Sequence, residues 1–248
     1  MLLKKLALGV STLLLAGVTH AAPINYWVDN GFSQIGDDEG VAGNGFVNPG
    51  WGGQDFDAEY MFYKIEGNQL HIGLQTGFDV STGQINHGGK DYYAGDLALS
   101  FDGDTSNYEY AIDFGLFTQG YTGGPIDAGS GTGIDAAGLY SVSSWNNDIY
   151  FDQSAPFAMD AGTLEANLLS SATGLSGESY YQTASFDLSL LGLSGDIELD
   201  SHWTMSCGND YVDGHAEISI PVSEPATLPL FAFGAMLMLM GQRRRFKA

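Results

Sequence analysis

The chain has 248 residues, with 30 Asp and Glu against eight Lys and Arg, and a single cysteine. That acidity repels nucleic acid and anionic lipid surfaces, and one cysteine excludes an intrachain disulfide. Its 35 glycines are about twice the usual ~7% frequency, yet 13 Tyr and 14 Phe exclude a disordered chain, so many short strands joined by glycine-rich turns are predicted.

The chain begins with Lys4 and Lys5, an apolar run from Leu6 to Val18, and Thr19-His20-Ala21 ahead of Ala22-Pro23. This order predicts a helical secretory signal peptide over residues 1–21, cleaved between Ala21 and Ala22. Cleavage after Ala22 would place Pro23 directly beyond the cut. No cysteine stands there, so no lipid anchor is expected. Once the two ends are set aside, only Lys64 and Lys90 oppose the 30 carboxylates, leaving residues 22–224 with a net charge of −28. Such a body suits extracellular solubility or the collection of cations.

Residues 22–221 are long enough for one well-buried domain. Ile24 to Val28 reads as a first edge strand, and Gly31 to Gln54 as mostly loop. Phe56–Ile65 and Leu70–Leu74 read as a hairpin around Glu66-Gly67-Asn68. Gly77 to Tyr92 reads as a long polar loop. In the next hairpin Leu97, Leu99 and Phe101 alternate with polar or small residues, as do Tyr108, Tyr110, Ile112 and Phe114. That period of two predicts a sheet buried on one face.

Thr118 to Ala137 is glycine-rich and irregular. Leu139–Trp145 and Ile149–Phe151 predict short strands, Leu164–Ser170 fits a strand or one helix, and Tyr180–Leu188 predicts a strand. The clearest strand runs from Asp196 to Cys207. Ile197, Leu199, Ser201, Trp203, Met205 and Cys207 share one face, with Asp200 and His202 on the other. His215–Ile220 returns beside it. The fold predicted is all-β: an antiparallel, jelly-roll-like β-sandwich.

The tail, residues 222–248, combines Ser223-Glu224-Pro225, an apolar stretch over about 226–241, and Arg243-Arg244-Arg245. Sixteen helical residues at ~1.5 Å each span ~24 Å, slightly short of a ~30 Å hydrocarbon core. A transmembrane helix is predicted there. Its cationic flank lies on the cytoplasmic side and the body on the other.

The Glu-Pro motif, apolar segment and arginine cluster, in that order, resemble the PEP-CTERM sorting tail of Gram-negative bacteria. Ser223 stands where that family's motif has its first proline. The resemblance implies recognition by an exosortase, a membrane-embedded cysteine protease that processes the tail. It also implies export linked to exopolysaccharide production, with transient residence in the inner membrane and a final place at the cell surface or outside. His202 to Asp210 is similar to a block found just upstream of such tails. Phe56-Asp57-Ala58-Glu59, Leu70–Gly73 and Ala94–Ala98 resemble the bodies of these proteins, and faintly the sandwich of DOMON and family-9 carbohydrate-binding modules.

Chemistry is harder to find. Alternation places Cys207 beside Trp203 and Met205, away from His202 and His215, which predicts a core thiol rather than a nucleophile or metal ligand. Carboxylate pairs are too numerous for spacing to single one out. No nucleophile-elbow serine, zinc-binding helix or phosphate-binding glycine loop is present. Asp102, Asp104 and Asn107 crowd one turn and are calcium candidates by their hard oxygens. They lack the EF-hand register, and no other cofactor is expected. Trp27, Trp51 and Trp145 are candidate stacking platforms for sugars. The expectation is a non-catalytic exported protein whose partners are an exosortase and exopolysaccharide, with a carbohydrate-binding module as the alternative and a hydrolase third.

Overall fold

A computed structural model describes residues 22–37, 52–124, 127–131, 133–193 and 195–220. A short helix α1 (Asn25–Asp29) precedes β1 (Ser33–Asp37), β2 (Ala58–Glu66), β3 (Gln69–Thr76), β4 (Gln84–His87), β5 (Lys90–Tyr93), β6 (Leu97–Ser100) and β7 (Tyr110–Asp113). Then come β8 (Thr122–Gly124), β9 (Asp127–Ser130), β10 (Gly138–Asn146), β11 (Ala158–Ala166), β12 (Ser170–Ser176), β13 (Ser179–Asp187), β14 (Gly195–Thr204) and β15 (Tyr211–Ile220). Five strands form one sheet in the order β1-β2-β3-β13-β12, and six form another in the order β11-β10-β7-β6-β14-β15. All their pairings are antiparallel. The all-β expectation therefore holds. The signal segment 1–21, the sorting motif, Arg243–Arg245 and the apolar stretch 226–241 lie outside the described residues. Among the described residues no helix is long and apolar enough to cross a membrane.

The two sheets share one apolar core. Met61, Leu70, Ile72 and Leu74 of the smaller sheet are buried in one cluster with Leu97, Leu99, Ile112, Leu139, Leu199 and Trp203 of the larger. Each fully buried side chain of this size contributes about 1.5–3 kcal/mol. Trp203 also satisfies its indole N–H, which donates to the Gly95 carbonyl at 3.1 Å. The Ala58 amide donates to Asp210 Oδ2 at 2.8 Å, tying the start of β2 to the loop between β14 and β15.

Several local expectations are corrected. Residues 25–29 form a helix, not an edge strand. Its aromatic residues turn onto the outer face of the five-stranded sheet, and that burial outweighs their strand preference. Trp27 stacks on Phe62 with centroids 4.3 Å apart, and Tyr26 stacks on Tyr181 at 4.2 Å. The Trp27 indole donates to Gln75 Oε1 at 2.7 Å. Gly73 makes room for this ring, because a Cβ at that position would strike its edge. Trp27 is 1% exposed, so it is a packing residue and not a sugar platform.

The stretch read as loop after Gly31 holds β1, and the polar loop before Tyr92 holds the β4–β5 hairpin. All three strands are short, largely polar and fixed by pairing rather than by an apolar period. Residues 122–124 and 127–130, within the stretch read as irregular, form the small β8–β9 ribbon. Ile149–Phe151 is not a strand. It is a bend in which the Phe151 amide donates to the Cys207 carbonyl. The segment around Leu164–Ser170 joins the end of β11 to the start of β12, so it contains no helix. Tyr108 lies outside β7, and the long strand ends at Thr204. Nor is the β6–β7 hairpin buried on one face only: all four residues of β6 are buried, because loops cover the outer face of the larger sheet.

The fit of Trp27 against Gly73 can be tested by a double-mutant cycle in thermal denaturation of the full chain. Gly73→Ala is expected to cost about 1–3 kcal/mol by overpacking, and Trp27→Ala about 3–5 kcal/mol. The pair is expected to cost clearly less than the sum, since the clash disappears with the ring. Additive costs would contradict the contact.

Candidate functional site

The outer face of the six-stranded sheet carries the polar architecture of the molecule. Pairing of β14 with β15 sets His202 opposite Asp213 and Asp200 opposite His215. His202 Nδ1 lies 2.6 Å from Asp213 Oδ1, and its Nε2 lies 3.0 Å from the Ser154 carbonyl, each within hydrogen-bond distance. Tyr108 and Tyr211 flank the imidazole at centroid distances of 5.9 and 5.6 Å. The ring is therefore buried and held on every side, as a structural post rather than a free base. His215 is exposed. Its hydrogen bond to Asp200, 2.8 Å long, raises its pKa above the usual imidazole value.

Cys207 faces away from both histidines. It lies in the main core with Trp203 and Met205, and burial pushes its thiol up to about 12. A thiol in that setting is protonated at neutral pH and does not act as a nucleophile.

The link between β6 and β7 forms a ridge across this face. Asp102 Oδ1 accepts from the Asp104 amide at 2.9 Å and from the Ser100 hydroxyl at 3.0 Å. Asp104 Oδ1 accepts from the amide and hydroxyl of Ser106 at 3.0 and 2.6 Å. The Asp104 amide is the main reason the Asp102 carboxyl is held below its usual pKa. These acidic residues thus cap the backbone two residues further on, the ordinary work of Asp in turns. Among the described residues no three His, Cys, Asp or Glu side chains come together as a metal-holding group. Asn107 belongs to the same ridge and lines a cleft beside it.

Two clefts flank the ridge, and both touch Thr105 and Tyr108. One, of about 310 Å³, is ionic and meets Asp200, Asp213 and His215. The other, of about 450 Å³, lies against β10 and meets Asn107, Ser143, Ser144, Trp145, Asn147 and Pro156. Among the described residues no carboxylate, imidazole, amine or thiol lines the second cleft. Trp145 is half-buried on its wall. The indole N–H donates to the Tyr108 carbonyl at 2.8 Å, and the ring packs beside Ala111, Tyr140 and Met159. Of the three tryptophans proposed as platforms, Trp145 alone lies at a described cleft. Trp51 is outside the described residues.

Sequence spacing did not single out the buried acids Asp96 and Asp113. They are 4% and 1% exposed. Asp96 Oδ2 accepts from the Met159 amide at 2.8 Å, and Asp113 Oδ1 from the Gly115 amide at 2.6 Å. Burial, with the Asp113 carboxylate second, pushes Asp96 well above its usual pKa. Burial pushes Asp113 up to about 6. Raised carboxylates are a feature of acid–base sites, but neither lines the two clefts beside the ridge. Glu59 is another buried acid. It accepts from Gln54, Gln75 and Ser179 at 2.7, 2.5 and 2.8 Å.

No protein family, curated protein or solved structure matches this chain.

The buried acids set a pH dependence. A carboxyl whose pKa is raised in the folded state favours folding below its unfolded value of ~4, and that contribution is lost as pH rises through the folded value. For Asp113 the loss spans roughly pH 4 to 6. Asp113→Asn keeps the acceptor for Gly115 and removes the charge. In urea denaturation the variant is expected to gain about 2 kcal/mol over the parent at pH 7.5, and to match it near pH 4. An equal difference at both pH values would contradict this origin.

Proposed function

We propose that the chain is an exported, non-catalytic surface or matrix protein, sorted by an exosortase and associated with exopolysaccharide. The observation that carries this reading is the ordered tail: Ser223-Glu224-Pro225, the apolar stretch 226–241 and Arg243-Arg244-Arg245. The signal-like start, with its cut between Ala21 and Ala22, supports export. The −28 charge of the body supports a soluble life outside the cell, where it opposes self-association. In this reading the apolar tail holds the protein at the inner membrane until an exosortase cuts near the motif. The jelly-roll-like description of the sandwich belongs to the same proposal. Its support is that successive hairpins alternate between sheets: β10–β11 lie in the larger, β12–β13 in the smaller, and β14–β15 in the larger again.

A non-catalytic role is supported by the make-up of the 450 Å³ cleft. Amides, hydroxyls and an indole line it, with no pair of groups able to exchange a proton at neutral pH. That cleft also favours the second reading, a carbohydrate-binding module, because an aromatic face beside neutral hydrogen-bonding groups suits sugars.

Expression of the full chain in cells with and without an exosortase tests the sorting reading. Mass spectrometry of the protein from exosortase-positive cells is expected to show a chain starting at Ala22 and ending near Glu224, outside the cell. Cells without the enzyme are expected to retain a chain with its arginine cluster at the membrane. An intact tail in both backgrounds would overturn the proposal.

A further inference from the structure

We infer that the cleft between the Thr105–Tyr108 ridge and β10 binds an uncharged polysaccharide, with one sugar ring seated on Trp145. The inference rests on the exopolysaccharide reading only for the source of the glycan; its chemistry comes from the cleft.

Trp145 is already anchored. Its N–H is committed to the Tyr108 carbonyl, and its ring is backed by the Ala111–Tyr140–Met159 cluster. An incoming ligand therefore meets a fixed apolar plane and pays little to order it. A sugar ring has an apolar face of C–H groups that matches such a plane, while its hydroxyls need partners around the rim. The cleft supplies them. Asn107, Asn147 and Thr105 line it, and their side chains make no hydrogen bond with other described residues. A carboxamide both donates and accepts, as a sugar hydroxyl does. At about 450 Å³, the cleft falls within the roughly 300–1,000 Å³ of ordinary ligand sites.

Charge selects the class of glycan. The chain carries 30 carboxylates, yet among the described residues none lines this cleft, and no Lys or Arg does either. Nothing there would hold a uronate, sulfate or phosphate, and the acidic body repels polyanions at low salt. The same argument sets aside single-stranded nucleic acid, which also stacks on aromatic rings but needs a cationic groove. The adjoining cleft, across the ridge, has Asp200 and Asp213 and extends that exclusion.

The test is affinity electrophoresis of the purified full chain through native gels containing dextran, laminarin, galactomannan, xylan or the polyanion alginate. At least one neutral polymer is expected to retard the chain, and alginate none. Trp145→Ala is expected to weaken retardation at least about tenfold, as loss of an aromatic anchor does. Because Trp145 also backs the neighbouring cluster, Asn147→Ala is the second variant. Asn147 is exposed and its carboxamide makes no hydrogen bond with another described residue, so the fold keeps its melting temperature while binding falls several-fold. Absence of retardation by every neutral polymer, stronger retardation by alginate, or retardation unchanged in both variants would each overturn the inference. None of these results alters the cutting of the tail, which is read separately by mass.

Discussion

The register between β14 and β15 is the constraint on which the rest depends. The two ten-residue strands pair from Gly195↔Ile220 to Thr204↔Tyr211. Inward, that register delivers Leu199 and Trp203 to the core. Outward, it sets His202 against Asp213 and Asp200 against His215. A slip of one residue would exchange the two faces: Trp203 would face water and His202 the hydrocarbon core. The strands therefore have one arrangement that satisfies both sides at once. His202 then becomes the post against which Tyr108 leans, and Tyr108 holds the indole of Trp145 through its carbonyl. A chain of contacts thus runs from the best-determined hairpin in the molecule to the wall of the neutral cleft.

Both outer faces of the sandwich are covered, which explains why so many polar side chains are buried. On the smaller sheet α1 lays Trp27 and Tyr26 over β2, β3 and β13, and the Gln75 amide joins the Ala22 carbonyl to Glu59 beneath. On the larger sheet the ridge and the segment before β11 shield Asp96, Asp113 and His202. Glu59, Gln75, Asp96, Asp113 and His202 each have hydrogen-bond partners, as the cost of an unpaired buried group requires. Negative charge is thereby divided into two kinds. A few acids are locked inside at a cost to stability near neutral pH. Many others face solvent, and among the described residues none lines the neutral cleft.

How far the sequence could be read follows the strength of its local periods. Alternation marks β2–β3, β6–β7, β13 and the β14–β15 hairpin, because one side of each faces the shared core. It fails where tertiary contacts decide. Ile24–Val28 has strand-like residues, yet the notch at Gly73 and the ring of Phe62 draw Trp27 into a helix. β1, β4 and β5 are short and polar, and only their partners make them strands. One-faced burial in β6 failed because the cover comes from the ridge and from residues far along the chain. The core position of Cys207 followed from alternation alone. Trp145 was visible as a residue type, but its cleft draws on 105–108, 142–147 and 155–156 together, and no local spacing records that meeting. Likewise Asp96 and Asp113 are ordinary acids until the fold buries them.

The most direct test of a neutral glycan site is to watch the tryptophans themselves. The chain has four, and three are described: Trp27 on the helix, Trp203 in the core and Trp145 at the cleft. Nitrogen-15 labelled protein can be titrated with a neutral oligosaccharide from the polymer that retards it, following the indole N–H resonances. The Trp145 resonance should shift in a saturable way while those of Trp27 and Trp203 stay in place. Saturable binding that leaves Trp145 unmoved would contradict the account.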